Sequence, residues 1–302
     1  MSKMKKFFIG ISMFVGLIVI CGGVYAYTVY YNIEKTVERI HKPIKKTDKR
    51  EEQVSVEKKQ PFSILLLGVD HRPGDKGRSD SMILLTVNPI ENKTEMVSIP
   101  RDTRTTIVGK GKIDKINHAY AFGGVQMAVN TVENFLNIPI DYYIKVNMEG
   151  FQDIVNAVNG VDVYNDLEFT VDGYHFKKGD LHLDGKEALS FTRMRELDPR
   201  GDFGREMRQR QVIEAVLKRG ASVSTLSSYG DVLKAIQKNI ETNLTLKEMI
   251  SIQKDYRNAA SNVNEIQITG KGTKIDGIYY LQVPKEEQDQ IAAQLRQHLA
   301  LQ

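Results

Sequence analysis

Six arginines fall between Arg193 and Gln211, a nineteen-residue stretch that contains no lysine: Arg193, Arg195, Arg200, Arg205, Arg208 and Arg210. Guanidinium is a planar fork that holds two oxygens of a carboxylate or phosphate at once, whereas ammonium acts as a point charge. A cluster this selective points to recognition of an oxyanion. Leu189, Phe191, Arg193 and Arg195 alternate with Ser190, Thr192 and Met194. An extended segment from Thr192 would therefore send Arg193 and Arg195 to one side. Pro199, Gly201 and Gly204 then break the chain, and a helix is expected near Asp202, with that residue as its N-cap. On such a helix Arg205, Gln209, Val212 and Val216 share a face, so a polar pair runs into an apolar stripe.

A second constellation lies earlier. Asp70 ends an apolar run, Asp80 precedes the next, and Arg72 and Arg78 sit between them. If the two runs pair as strands, the carboxylates meet at one sheet edge. Two carboxylates plus phosphate oxygens suit Mg²⁺, which keeps several waters and seldom occupies an all-protein cage. The same composition also builds an ordinary Asp/Gly turn in which Asp caps backbone donors. Further on, the run Ser98–Arg104 places Arg101 just beyond a third strand, near the expected position of Asp70 and Asp80. An Arg101–Asp102 surface pair is the plainer reading, and such pairs contribute little. Asn117, His118 and Tyr120 lead into a long helix whose N-terminal amides can meet an anion; His118 itself reads as structural. A general base is not singled out: Asp102, Asp198 and Asp202 are the candidates.

These residues need a scaffold, and the hydrophobic pattern supplies one. Strands are expected over Phe62–Gly68, Met82–Val87 and Glu95–Ile99, the last two as a hairpin or meander. A helix follows over Ala119–Leu136, a strand over Tyr142–Val146, a helix over Phe151–Val158 and a short strand over Val161–Tyr164. Asp184 with Glu187 fits a capping box before a short helix. Further helices are expected near Gly230–Ile240 and Leu246–Asn258, and strands at Glu265–Ile268 and Ile278–Leu281. Pro284 opens a closing amphipathic helix through Ile291, Leu295 and Leu299. Strands and helices interleave, but the early hairpin excludes an all-parallel sheet. The expectation is an α/β class fold, an α/β/α sandwich around a central mixed sheet, preceded by one N-terminal transmembrane helix.

That helix is read from residues 7–33, which carry no charge and exceed the length needed to cross about 30 Å of hydrocarbon. Four tyrosines, Tyr25, Tyr27, Tyr30 and Tyr31, cluster at its far end as an aromatic belt would. An apolar stretch of this length without a small-residue cleavage site reads as an uncleaved anchor. Residues 1–6 are then a cytoplasmic tail, 34–60 a charged linker and 61–302 the folded domain. Lysines precede the span, but Arg39, Lys42, Lys45, Lys46, Lys49 and Arg50 follow it, so charge counting leaves the orientation open.

Other chemistries fail. Cys21 is the only cysteine, so neither an internal disulfide nor a cysteine zinc site can form. No G-x-S-x-G, H-E-x-x-H, Walker A or GxGxxG pattern occurs. A net charge of +4 over 302 residues says little about nucleic acid, and no nucleic-acid motif is present.

Taken together, LLLGVD…GRSDSM, VSIPRDT, KINHAY and FTRMRELDPRGDFGREMRQRQ resemble the LytR-CpsA-Psr family of Gram-positive bacteria, in particular its wall teichoic acid ligases. The resemblance covers roughly residues 61–220, and the N-terminal anchor is similar too. It implies a membrane-anchored protein with its domain outside the cell. It further implies a phosphotransferase that moves an anionic glycopolymer from a polyprenyl pyrophosphate carrier to a peptidoglycan hydroxyl. By the same resemblance Asp70 and Asp80 hold Mg²⁺. Arg78, Arg101, Arg193, Arg195 and Arg205, with Gln209 nearby, hold the pyrophosphate, and an internal apolar pocket takes the lipid tail. Two alternatives stay open from the residues alone: a non-catalytic polyanion-binding module, and a Mg²⁺-dependent lipid pyrophosphatase.

Overall fold

The structure, a computed structural model, describes residues 27–28, 30–45, 49–50, 52–70, 77–222 and 237–301. The tail at 1–6, most of the expected anchor at 7–33, Arg72, and the 230–236 part of one expected helix lie outside the described residues. Among the described residues no helix is long and apolar enough to cross a membrane.

In chain order, helix α1 covers residues 30–40. Strands β1 (Phe62–Asp70), β2 (Arg78–Asn88), β3 (Lys93–Ser98), β4 (Arg104–Ile107) and β5 (Lys112–Lys115) lead to helix α2 (His118–Leu136). Strand β6 (Tyr142–Asn147), helix α3 (Met148–Ala157) and strands β7 (Val161–Asn165), β8 (Phe169–Val171), β9 (Tyr174–Phe176) and β10 (Gly179–Leu183) follow. Then come α4 (Gly185–Arg193), α5 (Asp202–Ser222), β11 (Ile240–Thr242), α6 (Leu246–Asp255) and α7 (Arg257–Ala260). Strands β12 (Val263–Gln267), β13 (Lys271–Ile275) and β14 (Ile278–Gln282) and helix α8 (Lys285–His298) complete the chain.

Six strands form the central sheet in the order β11-β6-β1-β2-β3-β12. The β1–β2, β2–β3 and β6–β11 pairs are antiparallel, and β1–β6 and β3–β12 are parallel, so the sheet is mixed as the hairpin requires. Strand alternation splits its side chains between two cores. Leu65, Leu67, Met82 and Leu84 join Val132 and Phe135 of α2 and Leu295 of α8 on one face. Ile64, Ile83, Leu85 and Met96 join Tyr256 and Ala259 on the other. The expected sandwich of helices on both faces of a mixed sheet is therefore present. A third core, centred on Phe169, Phe176 and Phe191, packs α3, α4 and the β7–β10 hairpins against α5.

Three local expectations need correction. The helix expected near Gly230–Ile240 is not helical over its described end: residues 237–239 form a turn, and Ile240 opens β11, which pairs with β6. Arg193 is not in an extended run: the Asp184/Glu187 capping box starts α4, which continues to Arg193 before Met194 turns extended. The helix wins because Ala188 and Phe191, three apart, both reach the third core. The 34–60 stretch, read from its charge as a spacer, also packs. Ile33, Val37 and Ile40 of α1 are buried at i, i+4 and i+7, and Val54 and Val56 enter the core below β1. Lys42 N–H donates to the Thr242 carbonyl, and Tyr143 Oη donates to the Lys42 carbonyl at 2.8 Å, which stitches the segment to β11 and β6. Short apolar spacing inside a charged stretch hid this from the sequence.

Ile40→Ala removes a side chain that is 2% exposed and packed against Ile240. Such a truncation costs about 2–5 kcal/mol, so Tm is expected to fall by roughly 4–15 °C. An unchanged thermal melt would show that α1 does not dock in solution.

Candidate active site

A cavity of about 490 Å³ lies between β1 and β6 of the sheet and helices α3, α4 and α5. Its body is apolar, with Leu66, Ile144, Phe151, Ile154, Ile213 and Leu217 among its lining. Asp70, Asp80, Arg193, Arg205 and Gln209 line its other, polar end. Helix α5 makes this gradient. Arg205, Gln209, Ile213 and Leu217 follow one another at i+4 steps, so one helix face passes from guanidinium to leucine over about 18 Å. The expected stripe is displaced by one residue: Val216 lines the cavity, but Val212 turns into the third core. Ser81 Oγ donates to Gln209 Oε1 at 3.1 Å and fixes the helix against β2.

Asp80 is presented by a bulge. Gly68 pairs with Ser81 and Val69 with Ser79, which leaves Asp80 as the extra residue of β2. A bulge bends a strand and re-aims the side chain it carries. Asp70, opposite Arg78, closes β1. The carboxylates thus stand at the ends of two central strands rather than at an edge of the sheet.

Around Asp80 a charged cluster assembles from distant segments. Arg101 Nη1 lies 3.2 Å from Asp80 Oδ1, and Asn117 Nδ2 donates to the same oxygen at 3.2 Å. Arg205 Nη2 donates to the Asp80 backbone carbonyl at 3.3 Å and pairs with Asp202 Oδ1 at 3.0 Å. Arg101 Nε is 3.6 Å from Asp202 Oδ2, and Lys115 Nζ is 2.6 Å from Asp102 Oδ1. Arg101, Arg205 and Asn117 each keep a buried polar atom without a hydrogen-bond partner: Nε, Nε and Oδ1. Buried arginine donors left without a partner are costly unless a ligand takes them up.

The charge states follow from this arrangement. Burial opposes the charge on Arg101, but Asp202, Asp80 and Asp102 together outweigh it and raise its pKa. Burial lowers the Arg205 pKa, with Asp202 acting against that. Glu206, next in the chain, is 6% exposed, and its carboxyl is pushed up to about 7 by burial first and by the Asp202 charge second. Glu206 was not singled out by its sequence context; the run of charges on α5 hides which of them is buried.

Three of the six clustered arginines serve the fold. Arg208 is fully buried, with Nη1 2.6 Å from Asp198 Oδ2 and Nε donating to the Phe191 carbonyl. Arg200 Nε donates to Asp198 Oδ1 at 2.9 Å, while its Nη2 donates to Asp166 Oδ1 at 3.0 Å. These partners hold the Asp198 carboxyl far below the usual range against the opposing effect of burial. Asp198 does not line the cavity and both its oxygens are taken by Arg200 and Arg208, which removes one of the three general-base candidates. Gly204 is required here, since a Cβ would come within 2.0 Å of Asp198 Oδ2. Arg210 Nε donates to Glu265 Oε2 at 2.6 Å, and its Nη1 donates to Ser98 Oγ, so it ties α5 to β3 and β12.

Of the remaining residues singled out, Arg193 lines the cavity from the end of α4. Arg195 is exposed beyond it, 3.7 Å from Glu196. Arg78 is exposed at the start of β2. The structure thus brings Asp70, Asp80, Arg193, Arg205 and Gln209 together in the lining of the cavity, with Arg101 joined to them through Asp80, and leaves Arg78 and Arg195 outside. Among the described residues no group of three His, Cys, Asp or Glu side chains could hold a metal alone.

Residues 27–297 match the LytR_cpsA_psr family. The chain belongs to this LytR-CpsA-Psr family. It is 60% identical over 300 residues to a Bacillus mycoides (strain KBAB4) protein named polyisoprenyl-teichoic acid–peptidoglycan teichoic acid transferase TagU, covering 98% of this chain and 99% of that protein. The crystal structure of Bacillus subtilis TagU superposes with a TM-score of 0.66 at 49% identity, covering 80% of this chain and 97% of that one. A family protein named YwtF (TagT), solved with bound octaprenyl pyrophosphate lipid, superposes with a TM-score of 0.68 at 32% identity over 85% of this chain and 97% of that one.

Two outcomes are expected from the charged cluster. Asp198→Ala strands the Arg208 guanidinium in the core, at a cost of about 3–5 kcal/mol, and a urea titration should show it. Glu206 holds a proton between pH about 4.5 and 7 that the unfolded chain has released, so stability falls as pH rises through that window. Glu206→Gln should flatten this fall and stabilise the protein at pH 8 by on the order of 2–4 kcal/mol. Parallel pH–stability curves for the two proteins would refute the assignment.

Proposed function

We propose that this protein is a membrane-anchored phosphotransferase of the cell envelope. It moves an anionic glycopolymer, such as wall teichoic acid, from a polyprenyl pyrophosphate carrier to a hydroxyl of peptidoglycan. One observation carries the reading. A single cavity joins an apolar body to an end lined by Asp70, Asp80, Arg193, Arg205 and Gln209, with Arg101 against Asp80. A greasy tail bearing a diphosphate has that same division of polarity. The names of the relatives and the lipid bound to YwtF (TagT) support this direction.

The chemistry needs no covalent enzyme intermediate. The acceptor hydroxyl oxygen bonds to the phosphorus next to the sugar, and the bond from that phosphorus to the bridging oxygen breaks. Products are a sugar–peptidoglycan phosphodiester and a polyprenyl monophosphate; the hydroxyl proton passes to a base or to solvent. Negative charge grows on the departing phosphate; Arg205 and Arg101 are already held beside the cavity's polar end by Asp202 and Asp80, and Arg193 lines it from the end of α4. Ile213, Leu217 and Ile144 line the apolar body and retain the tail, which keeps water out of that part of the cavity.

Asp70 and Asp80 suit Mg²⁺ by the chemistry of their donor set, two carboxylates at the polar end of the cavity, and would hold it together with oxygens of the phosphates. When bound there, the ion would neutralise phosphate charge. Asp80 also faces Arg101 and Asn117, which would orient its carboxylate for that task. Residues 7–33 provide the anchor in this reading, with the domain outside the cell.

The test is transfer from a lipid-pyrophosphate-linked glycopolymer, with and without peptidoglycan. Wild type should transfer only with acceptor present. Arg205→Ala, Arg193→Ala and Asp80→Ala should each lower kcat/KM by 10²-fold or more, and a chelator should do the same. Acceptor-independent release of polyprenyl phosphate would mark a pyrophosphatase, and binding without turnover would mark a polyanion-binding module.

A further inference from the structure

Beside the charged cluster, but outside the cavity, a two-stranded hairpin presents an unburied face. The β13–β14 hairpin is stitched to the site: Leu281 N–H donates to the Asp102 carbonyl at 2.9 Å, and Thr103 bridges to Leu281. Leu281 is 3% exposed and plugs into the first core. Alternation puts Tyr280 and Ile278 on the other face, with Lys271 on the neighbouring strand. Ile278 is 49% exposed, Tyr280 is half-buried and Lys271 is exposed. Lys115 Nζ stands over the Tyr280 ring at 5.8 Å while bonding Asp102. Three links, Asp80 to Arg101, Arg101 to Asp102 and Asp102 to Lys115, therefore run from the cavity's polar end to this platform. Arg101, Asp102, Lys115 and Tyr280 do not line the cavity.

The direction of attack decides what the platform is for. In phosphoryl transfer the incoming and departing oxygens are roughly in line through phosphorus. With the lipid in the cavity, the departing oxygen faces inward, so the acceptor must come from outside, past Arg101. A half-buried aromatic ring with an exposed aliphatic neighbour suits the apolar face of a sugar ring, and Lys271 and Lys115 suit carboxylates. We propose that Tyr280, Ile278, Lys271 and Lys115 form the docking surface for the acceptor, a peptidoglycan glycan strand bearing stem-peptide carboxylates. This rests on the transferase reading above and adds the subsite for its second substrate.

The test uses the full-length protein in lipid nanodiscs with uncrosslinked, muramidase-released peptidoglycan fragments. Tyr280→Ala and Ile278→Asp should each raise the Kd for the fragments, and the acceptor KM, about tenfold or more. KM for the lipid-linked donor should stay within twofold, Tyr280→Phe should behave as wild type, and thermal melts confirm folding. Fragment Kd within twofold of wild type in both variants overturns the proposal. So does a rise in donor KM in step with the acceptor effect, which would assign the platform to the polymer on the donor. Fragment binding that depends on Tyr280, in a wild type that transfers nothing, would sink the transferase reading and leave the docking surface standing.

Discussion

Positive charge packed into a partly buried pocket is tolerable only when fixed carboxylates hold it together, and this structure is arranged around that constraint. Arg101 and Arg205 approach each other at the ends of the central strands because Asp80 and Asp202 stand between them. The balance is deliberately incomplete in its hydrogen bonding: both guanidinium groups retain a buried Nε without a partner. Preorganised donors of this kind are worth most where water is thin, since they need no reorganisation when charge develops nearby.

Helix α5 distributes the consequences. At about 100° per residue, neighbouring charges on it face different surroundings. Arg205 and Gln209 turn to the cavity, Arg208 to Asp198, and Arg210 to Glu265 and Ser98. The helix is therefore held on two sides by ion pairs while its third side supplies the site. The Asp198 knot also fixes the loop between α4 and α5, and with it the distance between Arg193 and Arg205. Because Gly204 lets the helix press against that knot, the site inherits its geometry from a feature several residues away.

The scaffold was largely legible. Apolar runs gave β1, β2, β3 and β6, and the 3.6-residue pattern gave α2, α3 and α8, because burial on one face imposes those periods. Strands β4, β5, β8, β9, β10, β11 and β13 were not foreseen; each is only three to five residues long, too short for its alternation to declare a face. The docking of α1 escaped notice for a related reason: three apolar residues in a charged stretch are too few to declare a face.

What the sequence alone determined was the chemical inventory: a lysine-free arginine cluster, two carboxylates at strand ends and a mixed sheet to hold them. Residue type fixes which oxyanions can be gripped, and periodicity fixes which elements form. Only the tertiary structure decided which arginines face a ligand and which serve the core. That choice turns on the bulge at Asp80, the true end of α4 and the rotation of α5, each set by packing between segments far apart in the chain. Arg200 and Arg208 look the same as Arg205 in one dimension; their partners Asp166 and Asp198 distinguish them in three.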